Sequence, residues 1–392
     1  MRQVQMQAAL AALALVACTG SAPAAENQSG GDIVGNSGKP FTTRVIADFE
    51  TPWAMSFLPG SGVPLTKMAL ISEKSGKLWL VDVASGKRQA VGGVPAVHFA
   101  GQGGLGDVVA HPGFAGNQRV YLSFVEKGQG ETSGAALGYG TLVLGKGEPR
   151  IDGFKIIWRQ VPKVTGNGHF SLRIAFAPDG TMFLASGERQ KFDPAQSMDS
   201  NLGKILHLTA EGQPAPGNPW AARGGIAAQF WDMGHRNILG LAFAPDGRLW
   251  ATEMGPKGGD ELNLIERGKN YGWPIVSNGS HYDGRDIPDH PTRPEFAAPK
   301  LSWNPSISPA GLIIYSGNLF PQWRGDAIFG ALSGQALVRA GINGAKATKA
   351  DQWPMGARIR EVEQGPDGEV YLLEDGEDGS SGRLLRLDPV RR

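Results

Sequence analysis

Strand–turn–strand words recur along this 392-residue chain, and its 57 glycines are about twice the ordinary share. Together these observations predict an all-β domain, and the number of words predicts a six-bladed β-propeller. The clearest pair is Ile174-Ala175-Phe176-Ala177-Pro178-Asp179-Gly180 and Leu241-Ala242-Phe243-Ala244-Pro245-Asp246-Gly247, 67 residues apart. Looser copies begin at Met55, Val108 and Val362, and a degenerate one runs from Pro309 to Tyr315. A second apolar run follows most copies (Thr181 to Ala185, Arg248 to Thr252, Glu369 to Leu373). Each unit therefore reads as strand, tight turn, strand, with the turn glycine supplying a positive φ. Residues 41–390 shared among six units give about 58 per blade, at the long end for this architecture. Two β-sandwiches with coincidental turns would not explain matched words at a fixed spacing.

The chain changes character ahead of Phe41. Arg2 precedes an apolar run from Ala8 to Ala17, which ends in Leu15-Val16-Ala17-Cys18. The run is too short to span a bilayer and reads as an export signal over residues 1–18. Its ending resembles a bacterial lipobox, in which Cys18 would carry lipid; cleavage near Ala25 is the alternative. Residues 19–40 are small and polar and read as a tether, leaving 41–392 for the propeller. The expectation is an exported, periplasmic protein attached to the membrane only through Cys18. That residue is the sole cysteine, which excludes an intramolecular disulfide and a cysteine-based metal site. With 38 basic and 37 acidic side chains, nothing marks a nucleic-acid partner.

No P-loop, dinucleotide fingerprint, GxSxG elbow or HExxH occurs. Gly101-Gln102-Gly103-Gly104 lacks a following helix pattern, so it suits close approach of backbone to a flat ligand better than a phosphate cradle. The most informative stretch runs from Gly255 to Pro274, GPKGGDELNLIERGKNYGWP. Its glycines and prolines make a poor helix and a poor regular strand. They can turn backbone carbonyls and a carboxylate toward one point, which suits a hard cation such as calcium.

Seven words appear in order: Ala100 to Leu105, Gly168-His169-Phe170, Gly234-His235-Arg236-Asn237, Gly255 to Pro274, Tyr315-Ser316-Gly317, Phe320 to Asp326 and Gly356 to Val362. This order is similar to that of the soluble aldose sugar dehydrogenases that use pyrroloquinoline quinone, relatives of soluble quinoprotein glucose dehydrogenase. The resemblance covers Phe41 to Pro389 and implies a six-bladed propeller with the quinone over its channel. It implies oxidation of an aldose to a lactone, with hydride passing to a calcium-bound quinone and then to a separate electron acceptor. Such propellers draw specificity from channel-mouth loops, here 126–150 and 278–300.

Residue by residue, the resemblance makes His169 the general base, a role imidazole suits near neutral pH. Arg236 and Asn237 become donors to the quinone, Arg236 stabilising charge as it develops on a ring oxygen. Gln102 bonds the cofactor edge, and Tyr282 stacks or bonds nearby. Arg358 and Arg360, two apart on a strand, suit a ligand that carries three carboxylates; two exposed arginines paired with Glu361 and Glu363 are the alternative. Gly255 and Pro256 offer carbonyls to a cofactor calcium, whereas Glu261 and the carbonyl of Tyr271 resemble a second, structural calcium site. Asp260 orients this loop, His235 buttresses Arg236, and the remaining histidines are structural. The run Glu374 to Asp378 reads as a solvated hairpin tip.

The chain departs from the family at two places. Ile238-Leu239-Gly240 stands where relatives carry Pro-Gln-Gly, and Ser333 stands at or near a family lysine, which implies weaker cofactor binding. Two rival functions follow: a propeller that binds sugar or protein without catalysis, and a calcium-dependent lactonase. The lactonase wants several carboxylates and Asn around one ion, and Glu261 is the one convincing candidate.

Overall fold

The computed structural model describes residues 38–60, 65–145 and 147–390. The export signal, Cys18 and most of the 19–40 tether therefore lie outside the described residues. The chain forms six blades around a central channel, which agrees with the repeat count.

The six repeat words fall on the innermost strands: Pro52–Phe57, Leu105–Ala110, Ser171–Phe176, Ile238–Phe243, Pro309–Ile314 and Ile359–Gln364. Each of these strands packs against the next around the ring, and the last packs against the first. Four blades have four strands in simple up-and-down order, the second blade has five, and the third has three. The expected turns form as written. Gly180, Gly247 and Gly368 have φ of 84°, 82° and 85°, and Asp179 Oδ1 accepts from the Thr181 N–H and hydroxyl (2.9 and 2.6 Å).

The ring is closed by its own start. Phe41–Asp48 pairs antiparallel with Arg383–Pro389 as the outermost strand, so the sixth blade is built from both the start and the finish of the propeller and the ring is closed. Hydroxyls on the second strands tie blades to their neighbours. Ser72 donates to Gly106 O (2.6 Å), Ser123 to Leu172 O (2.6 Å) and Thr252 to Ala310 O (2.7 Å). Buried Trp250, Trp303 and Trp323 fill the space between blades.

Two sequence expectations are corrected. Asp260–Ile265, inside the glycine-rich word, is a regular and wholly buried strand, the third of blade four. It pairs with Leu249–Glu253 on one side and Leu301–Trp303 on the other, and that pairing overrides the flanking Gly and Pro. Residues 126–150 are not simply a mouth loop, because Thr132–Val143 is a twelve-residue strand paired on both sides.

One feature repeats in all six blades. Near the start of each innermost strand the register slips against the second strand, between Pro52 and Ala54, Leu105 and Val108, Ser171 and Ile174, Ile238 and Gly240, Pro309 and Leu312, and Ile359 and Glu361. A bulge re-aims the side chain it carries. Here the bulges turn Trp53, Leu172, Leu239 and Arg360 into one cavity at that end of the channel.

Candidate active site

The cavity has a volume of about 850 Å³ and receives side chains from all parts of the chain. Gln102, His169, Arg236, Asn237, Tyr282, Arg358 and Arg360 all line it, as do Gly255 and Pro256. Residues more than 250 positions apart in sequence thus share one space. Glu261 and Tyr271 do not line it. They line a separate void of about 10 Å³, roughly the space of one ion, together with Glu253 and Gly259. Gly255 borders both spaces.

His169 sits on a loop whose backbone is held in an unusual shape: His169, Ser171 and Leu172 have φ of 50°, 61° and 78°. Non-glycine residues rarely adopt these values, and such positions cluster at functional sites. The His169 N–H donates to Gln102 Oε1 (2.7 Å), which fixes the backbone. On the ring, Nδ1 bonds Glu188 Oε1. That carboxylate is itself held by the N–H groups of Gln190, Lys191 and Phe192 (2.9, 2.6 and 2.7 Å). Burial lowers the His169 pKa below its usual 6.5, more than the Glu188 pair raises it. Burial alone would raise the Glu188 pKa, but His169 and the backbone donors bring it below 4.5. The pair is thus a neutral imidazole donating from Nδ1 to a carboxylate. The other ring nitrogen, Nε2, has no protein partner among the described residues.

Arg236 approaches from blade four. Its Nη1 donates to Met254 O (3.1 Å), its Nη2 to the Tyr282 hydroxyl (3.2 Å), and the guanidinium lies 5.3 Å from the Trp273 ring centre. Its Nε is buried and finds no partner among the described residues. The backbone beneath is pinned by Glu253 Oε1, which accepts from the N–H groups of Arg236 and Asn237 (3.2 Å for the latter). Glu253 Oε2 is 2.7 Å from His235 Nδ1, and Asp232 lies 3.2 Å from His235 Nε2. Burial alone would lower the His235 pKa, but these two carboxylates outweigh it and raise it to about 10. His235 is therefore an imidazolium that supports Arg236.

The opposite wall is cationic. Arg358 Nε donates to Asp375 Oδ2 (2.6 Å), and Arg360 Nη2 reaches the same oxygen at 3.5 Å. Arg360 Nε is buried without a partner among the described residues. Lys74, from the first blade, lines the same wall and pairs with Glu377. The acidic run is therefore not a solvated tip: Glu374 and Asp375 are buried and bind Arg383 and Arg358. Nor do Arg358 and Arg360 pair with Glu361, whose partner is Arg173 across the channel.

Asp260 holds the Gly255 loop through backbone hydrogen bonds. Its Oδ1 accepts from the Gly255 N–H (2.8 Å) and its Oδ2 from those of Ile307 and Ser308 (2.6 and 2.7 Å). A Cβ on Gly255 would lie 2.4 Å from the carbonyl oxygens of Gly258 and Gly259, so only glycine lets these carbonyls crowd together. In the neighbouring void Glu261 faces Glu253, and Asn263 Nδ2 reaches both carboxylates (2.9 and 3.4 Å). Burial, reinforced by the Glu253 charge, pushes the Glu261 carboxyl up to about 8. A divalent cation between two buried carboxylates would relieve both effects, so this donor set fits a hard metal. The cavity likewise fits an anionic planar ligand: its walls carry five cations, Lys74, Arg236, Lys257, Arg358 and Arg360, and two guanidinium Nε atoms lack partners among the described residues.

Sequence reasoning missed Glu188, Glu253 and Lys74. A signal was present. In four blades the second strand ends in or just before a glutamate (Glu73, Glu188, Glu253 and Glu374), and each accepts from backbone N–H groups or an arginine beside the cavity end. Ser333 and Leu239 do line the cavity at the two points of departure; Ser333 bonds Ser308 Oγ at 2.8 Å and offers no charge.

Comparison with known proteins agrees with this geometry. The glucose/sorbosone dehydrogenase family profile matches residues 49–386. Aldose sugar dehydrogenase YliI of Escherichia coli K12 is 37% identical over 347 residues, covering 87% of this chain and 90% of that protein. The crystal structure of the soluble Escherichia coli aldose sugar dehydrogenase in its apo form superposes with a TM-score of 0.81 at 36% identity, covering 89% of this chain and all of the other. The PQQ-bound aldose sugar dehydrogenase of Streptomyces coelicolor gives 0.73 at 28% identity, covering 89% and 98%. The chain belongs to the glucose/sorbosone dehydrogenase family of enzymes.

Proposed function

We propose that this enzyme oxidises aldose sugars at the anomeric carbon to lactones, passing hydride to a calcium-bound pyrroloquinoline quinone. The observation that carries the reading is that one cavity gathers a buried neutral imidazole, a guanidinium with an unpartnered Nε, and a wall of further cations. When bound, the quinone with its calcium supplies the hydride acceptor.

The chain's own residues do the rest. His169 Nε2 takes the hydroxyl proton while hydride leaves the same carbon, and Glu188 steadies the imidazolium so formed. Arg236 offers its free Nε and Asn237 its amide to the bound group, with Gln102 and Tyr282 at its edge. Arg358 and Arg360 would hold its carboxylates. The carbonyls of Gly255 and Pro256 would hold the cofactor calcium, and Glu261 with the Tyr271 carbonyl a structural one. We further propose that the enzyme acts outside the cytoplasm, anchored through Cys18, and hands electrons to a separate acceptor.

Purified apoprotein given the quinone and Ca²⁺ should reduce a dye with an aldose. Absence of reduction across an aldose panel would reject the activity. In His169→Ala, turnover should fall by about 10²- to 10⁴-fold with cofactor binding retained. A lactonase would instead hydrolyse lactones without added quinone; the described residues hold no cluster of three or more His, Cys, Asp or Glu suited to its metal.

A further inference from the structure

We propose that Lys74 binds a carboxylate of the cofactor, and that Glu377 and Asp378 form a displaceable clasp that holds the cationic wall until that carboxylate arrives. The inference rests on the cofactor reading above and concerns residues that reading does not use. Four observations carry it.

First, Lys74 is fixed in place with its charge facing the cavity. Its N–H donates to Thr51 O (3.0 Å) and its carbonyl accepts from Leu105 (3.1 Å). A Cβ on Gly104 would lie 2.0 Å from that carbonyl, so the neighbouring strand approaches it with no room to spare. The Lys74 side chain is only 5% exposed, and a buried ammonium needs an anionic partner at all times.

Second, the three carboxylates on this wall are not equivalent. Asp375 is 1% exposed, holds both arginines and accepts the Glu377 N–H at 2.9 Å; it is part of the framework. Glu377 and Asp378 are 36% and 76% exposed on their side chains, and each touches the wall through one ion pair, to Lys74 and to Arg358 (3.2 Å) respectively. Third, these two sit on a loop marked by Gly376, Gly379 and Gly382 at φ of 68°, 88° and 68°, with Asp378 itself at 49°. Fourth, Ser333 lines the cavity and brings no charge of its own to a ligand there.

The exchange is chemically even. A ligand carboxylate that takes Glu377's place keeps Lys74 paired, while Glu377 passes into water to which it is already partly open. The same exchange at Asp375 would strand a buried carboxylate, so Asp375 stays. A ligand with three carboxylates can thus meet Lys74, Arg358 and Arg360, and Lys74 supplies the positive charge that Ser333 does not.

The test is calorimetric titration of the apoprotein with pyrroloquinoline quinone in the presence of Ca²⁺, independent of turnover. Lys74→Met should bind at least about tenfold more weakly, as loss of a charge-assisted bond implies, while Lys74→Arg stays near wild type. Glu377→Gln should bind several-fold more tightly, because no carboxylate then competes for Lys74. Wild-type binding with an unaffected Lys74→Met overturns the clasp alone. Failure of the wild type to bind the quinone overturns the cofactor reading, and the clasp with it. If Lys74→Met does not fold, Glu377→Gln decides: tighter binding supports the clasp, and unchanged or weaker binding overturns it.

Discussion

His169 Nδ1 and Glu188 Oε1 share a hydrogen bond in the cavity wall, and three backbone N–H groups hold that carboxylate from behind. The pairing settles which ring nitrogen is free to act. In the proposed reaction it also makes Glu188 the residue that strengthens the base against the effect of burial, although it carries no proton itself.

Glu188→Gln should therefore change the pH profile as well as the rate. In the proposed reaction the base, His169, must be neutral, so activity should be lost as pH falls through its pKa, which burial holds below 6.5. Glu188 raises that pKa; replacing it with a neutral amide lowers it further and moves the acid limb to lower pH. The imidazolium formed in the reaction also loses its counter-charge, so kcat should drop by about tenfold or more. The measurement is log kcat/KM from about pH 4 to 8. An acid limb that does not move removes Glu188 from this role.

Glu253→Ala should cost stability as well as activity. Its carboxylate receives the backbone N–H groups of Arg236 and Asn237 and pairs with buried His235. Truncation leaves two orphan donors and weakens the pairing of a buried imidazolium, a loss of about 3–5 kcal/mol. Thermal or denaturant unfolding measures it. A loss below about 1 kcal/mol would show that neither the two N–H groups nor His235 depends on Glu253.

How much of this was legible beforehand varied by element. The innermost strands were readable because each must be apolar, must end in a tight turn and must repeat. Phe41–Asp48 lacks those constraints: it is a mostly exposed outer strand, and nothing in its letters says that it closes the ring against Arg383–Pro389. Asp260–Ile265 was obscured for the opposite reason, since its Asp, Glu and Asn look solvent-facing yet are buried to hold a loop. His169 and Arg236 stood out within distinctive words. Glu188, Glu253 and Lys74 did not, because each sits in an ordinary strand end and gains its role from a partner far away in sequence.

Glu363 offers a test of the channel below the cavity. Asp107, Glu361 and Glu363 share this space, and Arg173 pairs with the first two at 3.6 and 2.5 Å. Glu363 has no ion pair among the described residues, and burial followed by the Glu361 charge raises its pKa well above 4.5. A carboxyl whose pKa is raised on folding adds stability that is complete below 4.5 and is lost as pH climbs through the folded value. Glu363→Gln should remove that loss, so its melting temperature should fall less than that of the wild type between about pH 5 and 8. Parallel melting curves for the two proteins would place an ionised Glu363 in the channel.

Metal removal should act through Glu261. Its carboxylate and that of Glu253 border a void of about 10 Å³ beside the Tyr271 loop, too small for anything but an ion or a water. An ion that binds only the folded state stabilises it by about 2.7 kcal/mol at a hundred times its dissociation constant. Chelation should accordingly lower the melting temperature by several degrees, and excess Ca²⁺ should restore it. Glu261→Gln keeps the hydrogen bond to Asn263 (2.9 Å in the wild type) but removes one of the two charges, so its melting temperature should respond little to chelator or to Ca²⁺. A variant that responds as fully as the wild type would move the structural calcium away from Glu261 and leave the main cavity, at Gly255 and Pro256, as the place where the metal acts.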